Sequence, residues 1–144
     1  MDIFTLHTGE SPLIISSPHS GVYVPDAIKA KFTPAGHDLC DTDWHVDRLY
    51  NDYVRVNGAT FIRANYSRYV IDLNRPPDNQ ALYPGQAKVP LCPDFTFREE
   101  PIYQDGLAPD DNEIAQRLKT YWQPYHDEIA AQIARVKAIH GYAI

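Results

Sequence analysis

The chain has 144 residues, 44% of them hydrophobic and 22% charged, with a formal net charge of −6. That length supports one domain with a real core, and the acidic balance argues against a nucleic-acid or anionic-membrane surface, either of which needs clustered Lys and Arg. No apolar stretch approaches the roughly 20 residues of a membrane span, and Met1-Asp2-Ile3-Phe4 lacks the basic-then-apolar order of a signal peptide, so the expected compartment is the cytoplasm.

Pro12-Leu13-Ile14-Ile15 is a short, branched apolar run bounded by proline, which suits a buried strand. The chain then enters Ser16-Ser17-Pro18-His19-Ser20-Gly21, placing His19 just past the strand's C-terminal end, where ligands and catalytic groups collect in open α/β sheets. Residues 25–32 suit a short helix, punctuated by Thr33-Pro34-Ala35-Gly36. Val46, Leu49, Tyr50, Tyr53 and Val54 fall at helical spacing and stop at Asn57-Gly58, and Asp41 and Asp43 lie at the expected positive end of that helix. Thr60 to Ala64 and Tyr69 to Leu73 are predicted strands joined by a tight Asn65-Tyr66-Ser67 connection. From Arg75 to Asp110 the sequence is rich in Pro and Gly without a sustained period, which predicts a functional loop or lid.

Asp110 and Glu113 form a capping box that opens a long amphipathic segment. Ile114, Leu118, Tyr121, Tyr125, Ile129, Ile133 and Val136 form its buried stripe, Pro124 predicts a kink or two abutting helices, and Gly141 ends it. Tyr142-Ala143-Ile144 reads as the start of a further buried strand, so the chain is expected to be a single, incomplete copy of a longer α/β fold. Cys40 and Cys92 form no CxxC pair and read as ordinary thiols.

Three polar groups lie outside the periodic stripes. His19 is the first. The second is Asp41-x-Asp43-x-His45-x-Asp47; capping and the helix dipole explain acidic residues there, while the functional alternative is that one carboxylate joins His19 on a divalent metal. The third is Arg68, Asp72, Asn74 and Arg75, on one predicted strand and its exit. Polar residues there suit a sheet edge, but arginine forks beside an amide also suit a dicarboxylic ligand. No GxGxxG, Walker loop, GxSxG or HExxH is present, which sets nucleotide-binding and serine-hydrolase readings aside.

The stretches PHSGVYVP, DTDWHVDRLY, YSRYVIDLNRPPDNQALYPGQ and YWQPYH, in this order, resemble the N-formylglutamate amidohydrolases (deformylases) of histidine degradation, from about Pro12 onward. The resemblance implies a mixed sheet flanked by helices, similar to the zinc carboxypeptidases, and hydrolysis of N-formyl-L-glutamate to L-glutamate and formate. It also implies zinc or another divalent metal, held by His19 and by Asp43, with Asp41 and Asp47 as competitors, and a substrate carboxylate gripped by Asn74 and Arg75 with help from Arg68. Family members continue into an Asp-x-His strand and an acidic general base beyond the equivalent of Gly141-Tyr142. No residue of this chain matches those two, and His45, His126 and His140 are weak substitutes. Weak zinc binding, very low activity and self-association through an exposed sheet edge are therefore expected. The alternatives are a non-catalytic remnant that binds a glutamate-like carboxylate, and an amidohydrolase of another N-acyl substrate.

Overall fold

The computed structural model describes residues 1–78 and 90–144. Its elements are β1 (Phe4–His7), β2 (Ile14–Ser17), α1 (Asp26–Lys29), α2 (Pro34–Asp38), α3 (Val46–Asn57), β3 (Thr60–Ala64), α4 (Asp111–Arg117), a π-helical turn (Leu118–Trp122) and α5 (Gln123–His140). β3 lies at the centre of a three-stranded mixed sheet, antiparallel to β1 and parallel to β2. The expected α/β class and mixed sheet are therefore present.

Alternation along the strands divides the sheet between two helical layers. Leu13, Ile15 and Phe61 pack with Val54 of α3, whereas Phe4, Leu6, Ile62 and Ala64 meet Leu118, Tyr125 and Ile129 on the opposite face. The sequence reading does not include β1, although Phe4-Thr5-Leu6-His7 alternates in hydropathy; Phe4 pairs with Ala64 and His7 with Phe61. The strand expected at 12–15 is displaced to Ile14–Ser17, which leaves one residue, Pro18, between its end and His19.

Helix α3 has its expected extent and ends on Gly58 at φ 59°, where a side chain would be strained. The expected punctuation at 33–36 is instead the start of α2: the Thr33 hydroxyl accepts from Gly36 N, and Pro34 occupies the first helical turn, where its missing N–H is harmless. The capping box at Asp110 forms, its carboxylate accepting from Glu113 N at 2.8 Å. Residues 111–140 then run as one helical rod instead of two abutting helices. The π turn ends two residues before Pro124, which has no N–H to donate to the preceding turn, and a π bulge absorbs that interruption.

The predicted strand from Tyr69 to Leu73 does not form. Tyr69, Val70, Ile71, Asp72 and Leu73 are all buried, which ends the expected alternation between faces. Side chains of this segment compete for its own backbone: Tyr69 N donates to Ser67 Oγ and Asn74 N to Asp72 Oδ1. The carbonyls that a neighbouring strand would satisfy are taken by the long helical rod and the 90–110 segment. Arg117 donates to Val70 O, the Tyr103 hydroxyl to Tyr69 O and Trp122 Nε1 to Arg75 O, and His126 Nε2 lies 2.9 Å from Leu73 O.

Residues 90–110 are not a lid in their described part. Leu91, Cys92, Ile102 and Tyr103 are buried, and Thr33 N donates to Ile102 O. Residues 79–89 of the expected loop lie outside the described residues. Cys92 is a buried thiol whose pKa is pushed up to about 11 by burial, and both cysteines are free.

Candidate active site around His19

Gly21 explains part of the Pro-His-Ser-Gly turn. A Cβ there would lie 2.2 Å from Tyr66 O, so the backbone of residues 65–66 can cross this turn only if position 21 carries no side chain. Tyr23 N donates to Asn65 O and Ser67 N to Tyr23 O, fastening the turn to the start of the 66–75 loop. Tyr125 reaches from α5 to Ser16 Oγ at 2.8 Å, fixing the end of β2.

Asp72 stands at the centre of the site. It is fully buried, with Oδ1 2.8 Å from His19 Nε2 and Oδ2 accepting from Arg68 Nη2 at 2.6 Å. The Asn74 backbone N–H adds a third hydrogen bond, and Arg75 Nε lies 3.9 Å away. Burial alone would raise the Asp72 pKa; the hydrogen bond from His19, the charge of Arg68 and the Asn74 N–H overcome it and hold the carboxyl at about 2. Asp72 is thus ionised at neutral pH and can only accept, so the proton in the His19–Asp72 bond resides on Nε2. In neutral His19 the lone pair is then on Nδ1. That atom faces Asp43 Oδ2 at 3.7 Å, too far for a hydrogen bond, and the Asp43 side chain is 47% exposed.

The three aspartates of the DTDWHVD stretch have separate fates. Asp43 is tied to the turn, its N–H donating to His19 O at 3.0 Å. Asp41 accepts from the Tyr69 hydroxyl at 2.8 Å and from Phe97 N at 3.0 Å, which makes it a buttress between two loops. Asp47 pairs with Arg63 of β3. His45 occupies the left-handed region at φ 65° and Leu39 at φ 48°, so two non-glycine residues with positive φ bracket the Asp41–Asp43 turn.

Of the proposed carboxylate grip, Asn74 is exposed and Arg75 half-buried, with an Arg75 Nε that is buried and has no hydrogen-bond partner among the described residues. Arg68 is different: it is 6% exposed, bonded to Asp72 and stacked over the Phe97 ring at 4.6 Å. The two other C-terminal histidines are also occupied. His126 stacks on Trp122 at 3.8 Å besides contacting Leu73 O, and burial lowers its pKa; His140 Nε2 lies 2.7 Å from Glu10 O. Among the described residues no group of three His, Cys, Asp or Glu side chains is gathered as a metal site.

The sequence reading places Asp72 among its polar residues without giving it a role. Its signal was weak because an alternating strand would have turned it to one face with Arg68, whereas the turn makes it a bridge between Arg68 and His19. The YWQPYH stretch also acquires a physical role: Trp122 and His126 hold the 73–75 backbone, while Tyr125 holds Ser16.

An α/β domain with a buried carboxylate–histidine pair at a strand's C-terminal end is what the structure defines, and the family follows from comparison. The sequence profile of the N-formylglutamate amidohydrolases matches residues 11–144, and the chain belongs to that family. It is 43% identical over 143 residues to an N-formylglutamate deformylase of Pseudomonas aeruginosa and 41% identical over 142 residues to one of Pseudomonas putida. Those matches cover 99% of this chain but 53% and 52% of the relatives, so the chain spans about half their length. The crystal structure of an N-formylglutamate amidohydrolase from Ralstonia eutropha JMP134 superposes with a TM-score of 0.81 at 28% identity, covering 99% of this chain and 56% of that one. A gene product of Agrobacterium tumefaciens, 16% identical, shares the fold with a TM-score of 0.71, over 99% of this chain and 53% of its own.

Proposed function

We propose that this chain carries part of the active site of a metal-dependent hydrolase that converts N-formyl-L-glutamate and water to L-glutamate and formate, in histidine degradation and in the cytoplasm. The observation that carries the reading is the orientation of His19, with Nε2 on a buried, ionised Asp72 and Nδ1 turned to the exposed Asp43 carboxylate. A histidine ligand ordinarily gives its other ring N–H to such a carboxylate. Nδ1 and the Asp43 carboxylate oxygen, 3.7 Å apart and without a hydrogen bond between them, are a nitrogen and an oxygen donor of the kinds that zinc accepts. His19 and Asp43 would therefore hold the ion, with Asp72 as the orienting partner; Asp41 and Asp47 are engaged elsewhere. The finer fold assignment, a zinc-carboxypeptidase-like domain, belongs to the same proposal.

When bound there, zinc supplies Lewis acidity and lowers the pKa of nearby water. The chain's own residues position the rest. Asn74 and Arg75 offer an amide and a guanidinium to a substrate carboxylate, and Arg68 acts through Asp72. Asp72 keeps the proton on His19 Nε2, so the imidazole presents the same atom to the ion throughout. Hydrolysis breaks the formyl C–N bond, and the departing nitrogen gains a proton. The general base is not assigned to any described residue.

Two donors are fewer than the usual three of a catalytic zinc site, so this chain is expected to bind zinc weakly and release formate very slowly. The test is zinc-dependent thermal stabilisation together with formate release, comparing the chain with His19→Ala and Asp43→Asn. Stabilisation by zinc that both substitutions abolish supports the reading, and a zinc response that survives both sinks the ligand assignment. Efficient formate release by this chain contradicts the two-donor site. Competition among N-formylglutamate, N-formylaspartate and N-acetylglutamate tests the substrate.

The absence of a third donor among the described residues favours a second reading, a non-catalytic carboxylate-binding module. It predicts that glutamate raises the melting temperature without added metal.

A further inference from the structure

We infer that the cleft between helix α3 and strands β1 and β3 is a binding site for a small multivalent anion, an oligophosphate or a polycarboxylate. The inference is independent of the proposed reaction, because the cleft shares no residue with the His19–Asp43–Asp72 cluster or with Arg68, Asn74 and Arg75.

The register of the sheet builds one wall. Thr5 pairs with Arg63 and His7 with Phe61, and residues two apart on a strand share a face, so these four side chains stand on one side of the sheet. Helix α3 covers the β2 and β3 part of that side, packing Val54 with Leu13, Ile15 and Phe61. Over β1 the side stays open, and Thr5 and His7 are exposed. The result is a cleft of about 360 Å³, whose second wall is α3, where Arg48, Asn51 and Arg55 recur at helical spacing.

The charge of the cleft is opposite to that of the chain. The protein carries a net −6, yet three guanidiniums, from Arg48, Arg55 and Arg63, meet here around one carboxylate, that of Asp47. Arg63 gives Nη1 to Asp47, and a guanidinium has further N–H donors to offer. Arg55 approaches Asp52 only to 3.7 Å and from a side chain 76% exposed, where water and salt screen the pair. Arg48 makes no ion pair among the described residues. Guanidinium forks match carboxylate and phosphate oxygens bidentately. Arg48 and Arg55 stand two helical turns apart, roughly 10 Å along the axis, so a ligand with several anionic groups engages both, together with Arg63, better than a single small anion does. Val54 and Phe61, both buried, give the cleft an apolar floor that strengthens these charge interactions.

The probes are tripolyphosphate and citrate, with inorganic phosphate as the single-group comparison, titrated calorimetrically into this chain at constant ionic strength and without added zinc. A multivalent anion is expected to bind about tenfold or more tightly than inorganic phosphate, and the tighter of the two identifies the phosphate or the carboxylate class. Arg48→Gln and Arg55→Gln, both at exposed positions, should each weaken that binding about tenfold while the chain stays folded. Asp47→Asn removes the competing carboxylate and should tighten it. Lys137→Gln removes the same charge from α5, on the opposite side of the sheet, and Arg75→Gln removes it from the proposed substrate grip; neither should change the affinity. No binding, inorganic phosphate bound as tightly as both multivalent anions, or equal losses in Arg48→Gln and Lys137→Gln overturns the proposal. So does a loss confined to Arg75→Gln, which assigns the anion to the other site.

Discussion

The two sides of His19 are built differently. On the side of the long helical rod, Nε2 meets a carboxylate with no exposed surface, itself held by Arg68 and by a loop whose carbonyls are satisfied by Arg117, Tyr103, Trp122 and His126. On the side of α3, Nδ1 faces a carboxylate that is half exposed, and the helix beyond it leaves Leu49 77%, Tyr53 50% and Val56 74% exposed. The first side consists of buried polar groups most of which are paired, Arg75 Nε and Arg117 Nε excepted; the second is an open edge and an apolar face. Orientation of the imidazole is therefore set by the closed side, which leaves Nδ1 turned to the open one.

The comparison breaks most sharply at Asp72. Asp72→Ala strands the buried Arg68 charge and releases His19, and is expected to destabilise the chain by about 3–5 kcal/mol in urea unfolding. A loss below about 1 kcal/mol would show that the closed side is not a cooperative network. Arg117→Ala removes the donor to Val70 O and the partner of Glu113, which also pairs with Lys31. A loss of roughly 2–4 kcal/mol is expected, with Tyr103→Phe milder at about 1 kcal/mol.

Acid should act on the closed side first. Because the folded Asp72 pKa is depressed to about 2, its contribution is fully present above the unfolded carboxyl value near 3.8 and is lost as pH falls through the folded one. The expected signature is a decline of roughly 2 kcal/mol between about pH 4 and pH 2, attenuated in Asp72→Asn. An acid-unfolding curve unchanged by that substitution contradicts the assignment.

The open side should be nearly indifferent to substitution. Asp43→Asn is expected to change stability by no more than about 0.5 kcal/mol while abolishing the zinc-dependent rise in melting temperature. Val56→Glu should likewise be close to neutral in this chain, and a loss of about 2 kcal/mol would mean that the α3 face is already covered in solution.

How far the sequence could be read follows the same division. Helix α3, its glycine stop and the Asp110 capping box depend on contacts a few residues apart, and the central strand at 60–64, although it pairs with distant strands, is marked by its own branched and aromatic run; each lies where local pattern placed it. The 69–73 segment did not follow its pattern, because its apolar, branched residues read as a strand while its carbonyls are claimed by side chains about 30 to 50 positions away. The site divides similarly. His19 and Asp43 were marked by residue type and by place, and the order of Asp43 before Asp41 and Asp47 came from the family resemblance. What the sequence did not show is that Tyr69 and Phe97 occupy Asp41 and that Arg63 occupies Asp47.

By itself the sequence determined the α/β class, the long amphipathic C-terminal segment and its stripe, and the histidine turn, since periodicity, capping and proline chemistry act over short separations. Tertiary structure alone decided that Asp72 would be a buried anion bridging His19 and Arg68 and that Arg68 would serve it, leaving Asn74 and Arg75 nearer the surface. A carboxylate's burial and partners depend on which distant elements close over it, and that long-range choice is not written in the spacing of neighbouring residues.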